Sequence, residues 1–112
     1  MADKPADSAV LERLFEVIRS RRGGDVEQSY TARLFADGIG AITQKFGEEA
    51  VETMVAALQQ SAAEVTGESA DLLYHLLVLW AEMGIEPADV WAELRRREGT
   101  SGLAEKKARS KR

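Results

Sequence analysis

The sequence predicts an all-α fold, a bundle of four or five helices. Three observations carry that prediction. Apolar residues recur at three- and four-residue spacing, not in alternation. β-branched runs are short. Glycines and capping residues divide the chain into helix-sized segments. At 112 residues one domain is expected, and such a chain buries roughly two-thirds of its unfolded surface.

The elements follow in order. A first helix is expected from Ala9 to Arg22, with Asp7 or Ser8 as its cap and Val10, Leu14, Val17 and Ile18 as its apolar stripe. Gly23-Gly24 ends it. A loop over residues 25–30 leads to a short helix from Thr31 to Ala36, capped by Ser29 or by Tyr30-Thr31 and closed near Gly38. Long helices are expected from Ile39 to Gln59 and from Ala62 to Met83. Ser61 and Glu64 have capping-box spacing at the start of the latter, and Gly84 stands at its end. Pro87 opens a last helix that runs to Glu98. The domain is therefore placed at residues 8–98. The basic stretch 99–112, with Leu103 as its one large apolar residue, is expected to be a solvated, flexible tail.

Charge is segregated along the chain. Between Phe46 and Leu94 there is no Lys or Arg, yet Glu48, Glu49, Glu52, Glu64, Glu68, Asp71, Glu82, Glu86, Asp89 and Glu93 all fall there. Surfaces usually interleave the two signs. The strongly acidic folded part argues against nucleic acid as a partner. No apolar run has the length of a membrane span, and Met1–Asp7 has no apolar stretch of the kind a signal peptide needs. Without cysteine the chain has neither disulfides nor thiolate metal ligands.

Helical geometry groups the acids. Glu48, Glu49 and Glu52 share one arc of the 39–59 helix, opposite Phe46, Ala50, Met54 and Leu58. Glu64, Glu68, Asp71, His75 and Glu82 share another on the 62–83 helix. Glu49/Glu52 and Glu68/Asp71 are matched i,i+3 pairs, which two antiparallel helices bring face to face. Each like-charge neighbour destabilises a helix by roughly 0.2–0.5 kcal/mol. A divalent cation relieves that repulsion, and oxygen-only ligands favour Mg²⁺, with Mn²⁺ as the alternative. The competing reading of the acids is a solvated face. Gly47 and Gly67 are read either as room for a close approach or as tolerated glycines.

The rest of the 62–83 helix is apolar nearly all round, which calls for burial on several sides. A homodimer that places this helix near a shared core satisfies that demand. Trp80 and Trp91 are read as core or dimer contacts.

The segments SYTARL from Ser29, KFGEEAVE from Lys45 and GESADLLYHLLVLW from Gly67 resemble the phosphoribosyl-ATP pyrophosphohydrolase family, over about residues 10–98. This family belongs to the MazG-like all-α nucleotide pyrophosphohydrolases, whose E-E-x-x-E and E-x-x-D pattern is complete here in Glu48-Glu49-x-x-Glu52 and Glu68-x-x-Asp71. The resemblance implies a cytoplasmic, Mg²⁺-dependent dimer. It implies hydrolysis of phosphoribosyl-ATP to phosphoribosyl-AMP and pyrophosphate, the second step of histidine biosynthesis. One departure is Asp25-Val26, where relatives often read Asp-Pro. The implied roles are metal binding by Glu49, Glu52, Glu68 and Asp71, and general base for Glu48 or Glu49. Lys45, Arg33 and Arg13 are candidates for phosphate oxygens. Ser29, Tyr30 and Thr31 resemble the substrate loop, with a helix cap and a packed tyrosine as the structural alternative. His75 is a candidate to orient a carboxylate or the substrate. Two other functions fit less of this pattern: a house-cleaning nucleoside triphosphate pyrophosphohydrolase, and a non-catalytic acidic helical interaction module.

Overall fold

A computed structural model describes residues 3–59 and 61–110. Met1 and Ala2 of the polar start, Gln60, and Lys111 and Arg112 of the basic tail lie outside the described residues. The described residues form six helices and no strand: α1 (Ala9–Ser20), α2 (Tyr30–Asp37), α3 (Ile39–Gln59), α4 (Ala62–Met83), α5 (Pro87–Arg97) and α6 (Gly102–Ser110).

Local chemistry sets most of the boundaries. Asp7, not Ser8, supplies the side-chain cap of α1, its carboxylate accepting the Ala9 N–H at 3.0 Å. Ser29 Oγ accepts the Ala32 N–H at 3.0 Å and starts α2. Gly38, at φ 94°, lets the chain turn directly from α2 into α3. Ser61 Oγ accepts the Glu64 N–H at the start of α4. Gly84, left-handed at φ 74°, ends it. Pro87 occupies the first turn of α5, and the Asp89 carboxylate accepts the Glu86 N–H at 2.9 Å.

The centre of the fold is the α3–α4 hairpin, against which α1 and α2 pack. Phe15 and Ile18 of α1, Leu34 and Phe35 of α2, Ile42 of α3 and Leu77 and Val78 of α4 form one buried cluster. The expected α1 stripe is only partly right. Val10 and Val17 are exposed, Leu14 and Ile18 pack as expected, and Phe15 joins them. Trp80 and Trp91 meet edge to face at 6.0 Å and join α4 to α5. Both belong to the chain's own packing. Arg22 lies over the Phe35 ring at 4.5 Å and bonds Glu82 at 2.9 Å, holding the end of α1 to α2 and α4.

The basic tail contains a helix that its composition did not announce. Glu105 of α6 is buried and pairs with Arg96 of α5 at 2.7 Å. Arg96 and Arg97 also grip Glu93, holding its carboxyl at about 2. Hydropathy cannot forecast this element, because an ion network docks it.

Leu77 is 1% exposed, and its removal leaves a cavity between α4 and the helices packed on it. Leu77→Ala is expected to lower unfolding free energy by about 3 kcal/mol, read from denaturant midpoints at an unchanged slope.

Candidate active site

The site forms where α3 and α4 run side by side. Thr53 fixes their register. Its hydroxyl donates to the Glu49 carbonyl at 2.8 Å, one turn back, and approaches the Glu68 carbonyl of α4 at 3.4 Å. In this register the two acidic arcs face each other, as the matched spacings predict. Three carboxylate oxygens, one each from Glu49, Glu68 and Asp71, lie within 4.8 Å of one another.

Burial decides how that cluster behaves. Glu49 is buried, Glu68 is half-buried and Asp71 is exposed. Oε2 of Glu49 and Oε2 of Glu68 are shielded from solvent and have no hydrogen-bond partner. A buried, unpaired charge is costly. Burial is accordingly the main reason that both carboxyls are pushed above the usual carboxylate range. The neighbouring Glu52 carboxylate adds to the shift of each, and so does Asp71. Glu52 is exposed and stands beside the cluster, outside the tight group of three.

Glu48 points elsewhere. Its carboxylate accepts from Gln44 Nε2 at 3.1 Å and from Lys45 Nζ at 3.2 Å, and these bonds hold it below the ordinary range. Lys45 is raised in turn, chiefly by its hydrogen bond to Glu48, with Glu49 a smaller contributor. Lys45 is thus an ammonium held by Glu48 at the edge of the acidic arc.

The other candidates sort by what their side chains already do. Ser29 spends its hydroxyl on the helix cap. Thr31 is buried and hydrogen-bonded to the Tyr74 hydroxyl. Tyr30 is 48% exposed, and its hydroxyl lies 3.3 Å from His75 Nε2. Arg33 donates to the Val26 carbonyl at 3.0 Å. Arg13 reaches the Pro5 carbonyl at 2.7 Å. Both arginines therefore tie down chain segments, and Arg33 secures the loop at Asp25-Val26. A Cβ at Gly47 or Gly67 would meet no atom within 4 Å, so no close protein approach accounts for either glycine. Thr53, Gln44 and Tyr74 were not singled out from the sequence. The available signal was position: Thr53 is four residues past Glu49, Gln44 is four before Glu48, and Tyr74 adjoins His75.

The chain matches the phosphoribosyl-ATP pyrophosphohydrolase family model over residues 11–98. It belongs to that family. Phosphoribosyl-ATP pyrophosphatases similar to it include that of Paramagnetospirillum magneticum, 67% identical over 94% of this chain and 96% of the relative. That of Azospirillum brasilense is 56% identical over 97% and 98% of the two chains. That of Rhodospirillum rubrum is 57% identical over 96% and 92%. The phosphoribosyl-ATP pyrophosphohydrolase match spans all four carboxylates and stops before α6.

The raised carboxyls make a signed prediction for metal-free protein. The folded state holds protons more tightly than the unfolded one, so these groups cost stability as pH rises above the unfolded carboxylate range, near 4.5. Glu49→Gln is therefore expected to unfold at a higher temperature than wild type at neutral pH in a chelator. The gap should close as pH falls below about 4.5. Thermal unfolding of both proteins across pH checks this.

Proposed function

We propose that this chain hydrolyses phosphoribosyl-ATP to phosphoribosyl-AMP and pyrophosphate, the second step of histidine biosynthesis, with a divalent cation held by Glu49, Glu68, Asp71 and Glu52. One observation carries the reading. In a member of this family, Glu49 and Glu68 each bury a carboxylate oxygen, Oε2, without a partner, and the same two residues each bring a carboxylate oxygen within 4.8 Å of the other and of one from Asp71. Clustered carboxylates and polyphosphate are all anionic, so they cannot meet without a cation between them. An all-oxygen donor set suits Mg²⁺, and Mn²⁺ next.

When bound, such an ion supplies charge stabilisation at the phosphates and lowers the pKa of the attacking water. The chain's own residues do the rest. Glu49 and Glu68 present their oxygens from facing helices. Asp71 and Glu52 add exposed oxygens at the rim. Of the two glutamates considered for the general base, Glu49 is the one not tied to Lys45, and its carboxylate would accept the proton through an oxygen that a bound cation does not take. Glu48 is committed to Gln44 and Lys45, and its role is to hold Lys45 in place. Lys45 offers a positive charge to the outer phosphate oxygens.

The enzyme is proposed to be a cytoplasmic homodimer. Val51, Met54, Val55 and Leu58 form an i, i+3, i+4, i+7 stripe on α3 and are 53%, 55%, 40% and 85% exposed. The Cα radius of gyration, 16.4 Å, exceeds the roughly 13 Å of a compact chain this long. Among the described residues no helix is long and apolar enough to cross a membrane. The uncovered apolar surface thus lies chiefly on α3, where the sequence pointed to α4.

Glu49→Gln is expected to stay folded, to bind Mg²⁺ more weakly, and to lose at least about a hundredfold in kcat on phosphoribosyl-ATP. Wild-type turnover would remove Glu49 from the site. The same assay on ordinary nucleoside triphosphates separates a house-cleaning enzyme, which prefers them. Folded wild-type protein that releases no pyrophosphate with Mg²⁺ is a binding module instead.

The α3 stripe predicts its own outcome. Leu58→Glu should shift sedimentation from dimer to monomer, because a charge in an apolar contact costs several-fold to hundredfold in association. A protein already monomeric at micromolar concentration overturns the dimer.

A further inference from the structure

A cavity of 390 Å³ opens between the end of α1 and the loop before α2, lined by Ser20, Arg21, Gly24, Asp25, Gln28 and Ser29. Small-molecule sites run from roughly 300 to 1,000 Å³. None of the clustered acids lines it, so the cation reading gives this space nothing to do. Its walls are built, not loose. The Gly24 N–H donates to the Arg21 carbonyl at 2.9 Å, and the Gln28 and Ser29 N–H groups both donate to the Asp25 carbonyl at 3.0 Å. The Asp25 carboxylate accepts the Glu27 N–H at 2.9 Å through Oδ1. Arg33 ties down Val26 from outside. A Cβ at Gly24 would stand 3.0 Å from the Arg21 carbonyl oxygen, so the turn closes tightly there.

The charges in this cavity are unspent. Arg13, Arg19, Arg22 and Arg33 each have an acceptor within the chain. The Arg21 side chain has none among the described residues, although Asp25 lines the same space. A guanidinium and a carboxylate therefore share one cavity without pairing. Asp25 Oδ2 is also uncommitted among the described residues, and Ser20 Oγ, which donates to the Val17 carbonyl at 2.6 Å, keeps lone pairs to accept with.

That mixture selects a ligand. A bare polyphosphate carries only acceptors and would meet the Asp25 carboxylate unfavourably. A sugar alone leaves the guanidinium unused. A sugar phosphate uses both, because its phosphate accepts from the guanidinium fork and its hydroxyls donate to carboxylate and serine oxygens. The cavity is also joined to the acidic cluster. Ser29 is in its wall, the hydroxyl of the next residue, Tyr30, lies 3.3 Å from His75 Nε2, and His75 Nδ1 lies 2.9 Å from the Asp71 carbonyl.

We propose that this cavity binds the phosphoribosyl end of the substrate, with Arg21 on its 5-phosphate and Asp25 on its ribose hydroxyls. Phosphoribosyl-ATP differs from ATP by that one group. The cavity is then the place where the two are told apart, while the polyphosphate goes to the cluster and Lys45. The proposal deepens the functional reading above and rests on it for the identity of the substrate.

The test compares two ligands that differ only in the phosphoribosyl group, phosphoribosyl-AMP and AMP, by calorimetry with Mg²⁺ present. Wild type should bind phosphoribosyl-AMP at least about tenfold more tightly than AMP. Arg21→Gln should bring the two affinities within about threefold by weakening phosphoribosyl-AMP alone. Asp25→Asn keeps an oxygen for the Glu27 N–H and replaces the other with an amide donor. It should weaken phosphoribosyl-AMP about fivefold and leave AMP unchanged. In turnover, Arg21→Gln should raise KM for phosphoribosyl-ATP about tenfold while changing kcat by less than about threefold.

Wild type that binds the two ligands equally overturns the proposal whatever the variants do. So does an Arg21→Gln protein that weakens both ligands by the same factor, which places Arg21 on the part they share. Unchanged affinity for phosphoribosyl-AMP in Arg21→Gln makes Arg21 a solvated surface charge and overturns it as well. Wild type that turns over phosphoribosyl-ATP with a KM indifferent to Arg21→Gln leaves the functional reading standing and the cavity assignment lost. If wild type leaves phosphoribosyl-ATP intact but prefers phosphoribosyl-AMP through Arg21, the functional reading fails and the cavity assignment stands.

Discussion

Oε2 of Glu49 and Oε2 of Glu68 are buried between α3 and α4 with nothing to bond, and most of what the molecule does follows from that. Burial penalises the charged form of each, and the nearby Glu52 and Asp71 carboxylates add to that penalty. Each therefore clings to a proton more strongly than a free carboxylate does. A fold optimised for stability alone would place apolar residues there. Retaining the acids makes sense where a cation joins them, since the ion supplies the opposite charge and satisfies the stranded lone pairs.

The remaining architecture holds that pair in place. Thr53 fixes the register of the hairpin across the helix interface. The packed cluster of Phe15, Ile18, Leu34, Phe35, Ile42, Leu77 and Val78 braces the hairpin. The start of α2 is locked to α4 by Tyr30, Thr31, Tyr74 and His75, and His75 lies against the Asp71 carbonyl one turn back. On the outer side Glu48 and Gln44 secure Lys45. Negative charge thus lies at the cluster and one fixed positive charge lies next to it. That arrangement suits a substrate with a polyphosphate to be gripped at two points.

Much of this was legible in the sequence, for physical reasons. The two long helices match their predicted limits, Ile39–Gln59 and Ala62–Met83, because Gly38, Ser61 and Gly84 leave little freedom at their ends. The facing of Glu49 with Glu68 and Asp71 follows from helical periodicity and a short turn. Other features needed coordinates. Helix α6 is docked by Glu105 and Arg96, a charged contact with no apolar periodicity. The sequence makes Arg33 a candidate phosphate ligand, and coordinates add that it bonds the Val26 carbonyl. Ser29 and Thr31 lie in one motif with Tyr30, yet only coordinates show that their hydroxyls serve the cap and Tyr74. An arc on a helical wheel contains both Glu48 and Glu49. It cannot show that one turns out to Lys45 and the other inward.

The most direct test of the central claim counts protons. Carboxyls held above their usual range must release protons when a cation takes their place. Mg²⁺ or Mn²⁺ added to metal-free protein in weak buffer, near about pH 5, should bind saturably and acidify the solution. Glu49→Gln and Glu68→Gln should each diminish both the binding and the proton release. Saturable binding that leaves the proton count unchanged, or that survives both substitutions intact, would contradict the account.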